Sequence, residues 1–275
     1  MIAPWLLAAL AHAGAWTRAP GHGYGKVGVD RYQTGALLSP GTGVPPGGTY
    51  TAEQLGAWLE LGLPAGGWRA HLGVGAAVVS GHHLAEIPSA LGTQRVRASS
   101  TRPGDLRLAP QIALHPRWPV AVALEAKLPL ARNDRVGGSS AWAELFPRPG
   151  DGQVDLTPVV WAGGGRGRVF GELGVGWRHR TRWSLGTPGP DFRDGVYASG
   201  KAGIDLGRVL PVLGAEAVVS PRPDGVTREG VVLSVVALCD AIDGRLALEP
   251  RIAVEPWSRN ASRGVAVGLG ASLRR

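Results

Sequence analysis

The chain is short of several things at once, and each shortage excludes a class of protein. Its 275 residues include one Cys, so no intramolecular disulfide can form. A lone thiol also leaves no ligand set for a zinc finger, a CxxC redox pair or a cysteine-held iron–sulfur centre. Charged residues are scarce at 18%, yet a hydrophobic content of 44% is too high for a disordered chain. Past the N-terminus no uncharged apolar run reaches the roughly 18–20 residues that a membrane-spanning helix needs. What is abundant is Gly, at 43, and Pro, at 22, the two poorest helix formers. They follow no collagen-like period. The composition therefore points to a β-rich fold, and 275 residues are enough for one large closed sheet.

The first fifteen residues run from Met1 through an apolar stretch to two small-x-small sites, Ala11-His12-Ala13 and Ala13-Gly14-Ala15. This predicts a secretory signal peptide over 1–15, with cleavage after Ala13 or Ala15, although no Lys or Arg precedes the apolar stretch. Residues 16–275 then form a single domain.

From residue 24 onward the chain repeats one unit, about ten residues of period-two alternation followed by a turn. The clearest case is Val120–Leu130. There Val120, Val122, Leu124, Ala126, Leu128 and Leu130 share one face, and Ala121, Ala123, Glu125 and Lys127 the other. Twelve such segments are predicted. The connections alternate in length: short at Pro64–Gly67, Pro116–Pro119, Gly163–Gly167, Gly207–Pro211 and Asp240–Gly244, and mostly longer at 35–49, 81–104, 131–153, 179–194, 221–230 and 256–263. Short turns at one end and long loops at the other are the pattern of antiparallel up-and-down outer-membrane barrels. The eight best-defined segments put every charge on one face, as a bilayer demands of the other. Trp68, Trp118 and Trp161 lie beside short turns, and Trp177, Trp183 and Trp257 near long loops. That is the placement of two interfacial girdles. A soluble all-β protein is the competing architecture.

Several stretches carry a family resemblance: Gly23–Tyr32, Tyr50–Glu53, Leu59–Leu63, Gly104–Leu108 and Pro119–Pro129. Together they resemble the bacterial outer-membrane barrels of the meta-pathway phenol-degradation transporter-like family. The resemblance implies a porin-like barrel that admits small or aromatic molecules. The chain departs from many such barrels at its end, Leu273-Arg274-Arg275, where an aromatic residue is usually read by the outer-membrane assembly machinery.

Parity assigns the interior wall to Glu60, Arg69, His71, Arg107, Gln111, Glu125, Lys127, Asp155, Glu172, Arg178, Lys201, Asp205, Glu216, Glu249 and Arg251. The expected neighbours are Arg107 with Glu125, Asp205 with Glu216 near Lys201, and Glu249 with Arg251. Such charges either sort passing solutes or pair to fill the lumen. Arginines of the long loops are candidates for clamping lipid phosphates, lipopolysaccharide among them. Scattered as they are, they make no nucleic-acid surface. An enzyme would need a constellation, and HExxH, GxSxG and phosphate-loop motifs are all absent. Only Gly81-His82-His83 with Glu86, expected where a strand meets a loop, offers a start for lipid-modifying chemistry. The expectation is a non-enzymatic barrel of about twelve strands without cofactor, acting as a passive conduit for small solutes. A closed-lumen structural or adhesive barrel is the alternative, and an outer-membrane lipid-modifying enzyme comes third.

Overall fold

A computed structural model describes residues 15–34, 48–66, 68–89, 92–115, 117–131, 152–185, 192–222, 227, 229–242, 245–259 and 263–274. The predicted signal segment up to Gly14 and most of the loops at 35–49 and 131–153 lie outside the described residues. Among the described residues no helix is long and apolar enough to cross a membrane.

Period-two patterning becomes strand throughout. The strands are β1 (Gly23–Thr34), β2 (Gly48–Ala65), β3 (Trp68–Ser89), β4 (Gly92–Pro103), β5 (Asp105–Ala113), β6 (Val120–Pro129), β7 (Gln153–Arg166), β8 (Val169–Ser184), β9 (Gly195–Ile204), β10 (Val209–Val219), β11 (Glu229–Ile242), β12 (Leu246–Arg259) and β13 (Gly264–Arg274). All pairings are antiparallel, and β1 pairs with β13 from Tyr24↔Arg274 to Thr34↔Gly264, which closes the sheet. β4 and β5 are two halves of one wall strand. β3 pairs with β4 from Val78↔Pro103 to Ser89↔Gly92, and with β5 from Gly75↔Arg107 to Ala70↔Ile112. The break falls at Gly104, whose N–H donates to the Ala77 carbonyl at 2.7 Å. The result is a closed, antiparallel barrel of twelve strands; β4, which pairs with β3 alone among the described residues, keeps one open edge.

One expectation is corrected. Residues 81–104 are not a loop: β3 and β4 continue through most of that range as a two-stranded ribbon. Alternation was invisible there because the outward face turns polar. Ser99 and Thr101 of β4 pair with His82 and Ser80, and Arg95 and Arg97 are exposed. The short turns behave as expected, with Gly66 (φ 56°), Gly167 (φ 62°) and Gly207 (φ 89°) in the left-handed region that a side chain resists.

The outer wall is a continuous apolar belt. Val27, Val29, Leu55, Leu59, Leu124, Val160, Leu173, Val175, Leu213, Val235, Ile252, Val267 and Leu269 are all exposed. A soluble monomer rarely exposes an apolar patch of more than a few hundred Å². Trp68, Trp118, Trp177 and Trp183 are also exposed, as girdle residues are. Trp161 is not one of them: it is fully buried and faces inward, its ring lying where a Cβ on Gly174 would come within 2.6 Å.

Candidate functional site

Among the described residues, polar groups of the wall strands converge in the interior, because each strand turns its alternate residues inward. The sequence-predicted residues Glu60, His71, Gln111, Lys127, Asp155, Arg178, Glu216 and Glu249 are buried there. Glu172, Lys201 and Arg251 have side chains that are about one-tenth exposed or less. Arg107 and Glu125 line a small void of about 20 Å³ with Trp58, Lys127, Asp155 and Arg178.

Two assignments need correction. Asp205 lies outside the strands, in the turn between β9 and β10. Its N–H donates to the Arg168 carbonyl, and its carboxylate accepts from Gly207 N–H at 2.7 Å. Strand parity extended one residue beyond the end of β9 at Ile204 would place it inside. Arg69 has inward parity but is exposed at the rim, in register with Pro64 beside the β2–β3 turn.

Arg107 and Glu125, and Glu216 and Lys201, lie on neighbouring strands as expected, but several of the charges take other partners. Glu249 takes Lys26 across β13, with Tyr24 Oη donating to the same carboxylate at 3.0 Å. Arg251 takes Asp30 by a two-pronged contact. Lys127 pairs with Asp155 at 3.1 Å, and Lys201 with Glu172 at 3.4 Å. Arg107 stands in register with Lys127, so Glu125 meets it diagonally rather than directly. Lys26 and Asp30 were missed because Gly23, Gly25 and Gly28 interrupt the apolar pattern of β1. Its alternation of Tyr24, Lys26, Gly28, Asp30 and Tyr32 was nevertheless readable.

Toward the long-loop end rings join the ion pairs, of which Lys127 with Asp155 lies there. Tyr32, Tyr50, Ala52, Val232, Ala253 and Ala266 form one buried cluster. The Tyr50 and His83 rings sit 4.3 Å apart, and Tyr32 and Tyr50 6.5 Å apart. Tyr32 Oη donates to Glu255 at 3.4 Å, and Glu229, also buried, lies 3.4 Å from Arg259. Space for these rings comes from missing side chains: a Cβ on Gly81 would meet Tyr50 Oη at 2.6 Å, and one on Gly264 would collide with the Tyr32 ring. His82 is exposed and His83 buried, so the adjacent pair faces opposite sides of β3 and cannot converge on one ion. Among the described residues no cluster of metal-binding side chains occurs.

The least expected element is the chain before β1. From Gly62 at the short-turn rim, residues 15–22 turn into the barrel mouth. Gly21 N–H donates to the Gly62 carbonyl at 3.2 Å, and Gly62 N–H to the His22 carbonyl at 2.9 Å. Arg18 reaches Glu60 through Nε at 2.8 Å, and its guanidinium lies 5.0 Å over the Tyr24 ring. Its backbone N–H donates to His71 Nδ1 at 3.4 Å. Trp16 meets Phe170 edge-on at 6.0 Å. Ala15 is 2% exposed, packed among Ala121, Ala123, Val159, Trp161 and Tyr197, and its N–H donates to Glu172 Oε2 at 3.0 Å. The wall is cut to receive it. A Cβ on Gly163 would lie 2.7 Å from that of Ala15, and one on Gly62 would strike the Ala19 carbonyl. Sequence reading missed this plug because its residues carry no period at all.

No family model matches the chain, and no curated protein matches it. Among solved structures, the chain is similar to an outer membrane channel from Pseudomonas putida F1. The identity is 13% and the TM-score 0.68, over 96% of this chain and 99% of that one. It also aligns with the transport unit of the autotransporter AIDA-I from Escherichia coli, at 9% identity and a TM-score of 0.49, over 91% and 89%. The first likeness supports the twelve-stranded barrel fold.

Proposed function

We propose that this protein is an outer-membrane channel for small molecules, closed at its short-turn end by residues 15–22 of its own chain. Three things support the membrane reading: the apolar belt, the exposed tryptophans at both ends, and the fold likeness to an outer membrane channel. The observation that carries the channel reading is how the mouth is stopped. A barrel built only as a scaffold fills its interior from the wall, whereas here a separate segment fills it. That segment is held by a handful of polar contacts, at Glu60, His71, Glu172 and Gly62. Such contacts are individually worth about 0.5–3 kcal/mol, so the stopper can leave while the wall stays intact.

The fixed charges along the lumen are mutually compensated. Lys26, Lys127, Lys201 and Arg251 each hold a carboxylate. A passing ion therefore meets little net field, and neutral solutes are the cargo this wall suits best. The rings of Tyr32, Tyr50 and His83 near the long-loop end favour small molecules with apolar or aromatic parts. That agrees with the porin-like family the sequence resembles. Transport is passive, by diffusion, and draws on no cofactor.

Planar-bilayer recording of the refolded chain tests this. The wild type is expected to be mostly shut with brief steps, and Arg18→Ser to raise the open fraction about tenfold through loss of one charge-assisted contact. Silence from both proteins, with intact barrels by heat-modified gel migration, would instead favour a closed-lumen structural barrel.

A further inference from the structure

At the short-turn end the apolar outer wall has a notch. The first two outward positions of β1 are Gly23 and Gly25, in register with Leu61 and Leu59 of β2, and Gly25 also with Leu273 of β13. The three leucines are exposed, and a Cβ on Gly25 would meet only Leu59 Cδ1, at 3.9 Å. The notch is therefore open space between apolar walls. It runs into a cleft of about 1150 Å³ that wraps over the rim to the plug, where Thr17, Arg18 and Ala19 line it. The charge there is of one sign. Arg18, Arg245 and Arg274 bring three guanidiniums to the cleft and His22 an imidazole, and no carboxylate lines it. Arg245 and His22 are exposed and Arg274 partly so. Arg274 N–H donates to the Arg245 carbonyl at 2.8 Å, which ties the end of β13 to the β11–β12 turn and holds the two arginines together. From the lumen side Glu60 takes Arg18 Nε at 2.8 Å, yet the Arg18 side chain stays 37% exposed. A guanidinium carries five N–H donors, so the Glu60 contact leaves others for a ligand in the cleft.

We propose that this cleft seats one phospholipid of the leaflet on the short-turn side, with its phosphate on Arg18, Arg245 and Arg274 and an acyl chain in the notch at Gly25. The forked donors of arginine match the paired oxygens of a phosphate, and a basic pocket at the membrane surface is where an anionic headgroup gathers. A phosphate without a tail would use only the charged half of the cleft. The other half, walled by Leu59 and Leu273, faces the bilayer and suits hydrocarbon. Trp68 and Trp118, exposed beside short turns, set the membrane interface at this same end, the depth at which lipid phosphates lie. Because Arg18 belongs to the plug, a seated phosphate adds a second contact to the side chain that Glu60 already holds. The lipid thus helps to keep the mouth shut.

This rests on the membrane reading above, and the experiment keeps the two apart. The full chain and its variants are refolded in uncharged detergent and checked as barrels by heat-modified migration. Each is then titrated with dioleoylphosphatidylglycerol, with dioleoylglycerol or with inorganic phosphate, and the bound molecules are counted by native mass spectrometry. One phosphatidylglycerol per barrel is expected, held about tenfold more tightly than either dioleoylglycerol or phosphate, the scale of one charge-assisted contact. Arg245→Gln with Arg274→Gln should weaken it about tenfold or more. Gly25→Leu, which fills the notch and leaves every cation in place, should weaken it by a similar factor. Arg31→Gln, an exposed arginine at the far end of β1, should change nothing. Binding unaltered in the double arginine variant or in Gly25→Leu, or dioleoylglycerol held as tightly as phosphatidylglycerol, overturns the lipid site. Inorganic phosphate held as tightly as the lipid assigns the cleft to a free anion and overturns it too. A chain without heat-modified migration would count against the membrane reading itself, and the lipid site would fall with it.

Discussion

The two ends of the lumen solve the same problem by different chemistry. Near the short turns the wall is cross-linked by charge: Lys26 with Glu249, Arg251 with Asp30, Lys201 with Glu172, and Arg18 of the plug with Glu60. Near the long loops ion pairs persist, Lys127 with Asp155 and Arg259 with Glu229, but rings fill the space between them, with Tyr32, Tyr50 and His83 backed by alanines and Val232. The short-turn pairs hold strands in a fixed alignment, directly for Lys201 with Glu172 and across β13 for Lys26 with Glu249 and Asp30 with Arg251, because a slip of one residue turns every carboxylate outward. Rings tie strands loosely, through area rather than direction. The difference suits a barrel rigid where its stopper seats and more adaptable where a solute would enter.

The comparison predicts unequal responses to substitution. Replacing Glu249 by Gln leaves Lys26 buried without its counter-charge, an uncompensated burial worth about 3–5 kcal/mol of stability. Exchanging both partners, Lys26→Met with Glu249→Leu, should restore most of it. Urea titration of the folded barrel, followed by heat-modified migration, reads both. A double variant no better than the single one would mean that the charges, not their cancellation, hold the short-turn half together.

In the ring-filled half the matching probe is steric. Gly264→Ala puts a Cβ against the Tyr32 ring, which must swing out of the cluster, at about 1–3 kcal/mol. Pairing it with Tyr32→Ala should relieve the collision at the expense of a cavity. If Gly264→Ala is instead neutral, the rings move freely and this half is even softer than argued.

Much of this was legible in the residues. Period-two sorting identified the wall strands, and parity put Glu60, Glu172, Lys201 and Glu249 on one face. Three things were not legible, each for a physical reason. Pairing partners depend on register, which a single strand does not encode, so Glu249 was matched with Arg251 of its own strand rather than with Lys26 two strands away. The β3–β4 ribbon lost its signal once both its faces could be polar. The plug at 15–22 is irregular chain whose position is set by cavities at Gly62 and Gly163, a property of the assembled wall.

The smallest expected effect lies at the long-loop rim, outside both halves. Asp194, just before β9, accepts from His179 Nδ1 at 3.0 Å, from the Arg180 N–H at 3.0 Å and from Trp177 Nε1 at 3.1 Å. Partial burial alone would raise its carboxyl, but these donors outweigh it and hold the group below the usual aspartate value of 3.8. A carboxyl lowered on folding stabilises fully above its unfolded value, and that stability is lost as pH falls through the lowered one. The join between β8 and β9 should therefore keep its amide protection at neutral pH and lose it only well into acid, below about 4. Asp194→Asn should weaken protection at the Arg180 amide at neutral pH and flatten its acid dependence, with the lumen pairs unaffected. Because His179 and Asp194 are substantially exposed, solvent screening keeps the change small. An acid response equally steep in Asp194→Asn would assign it to the buried carboxylates of the lumen, and the rim would then be no softer than the wall it crowns.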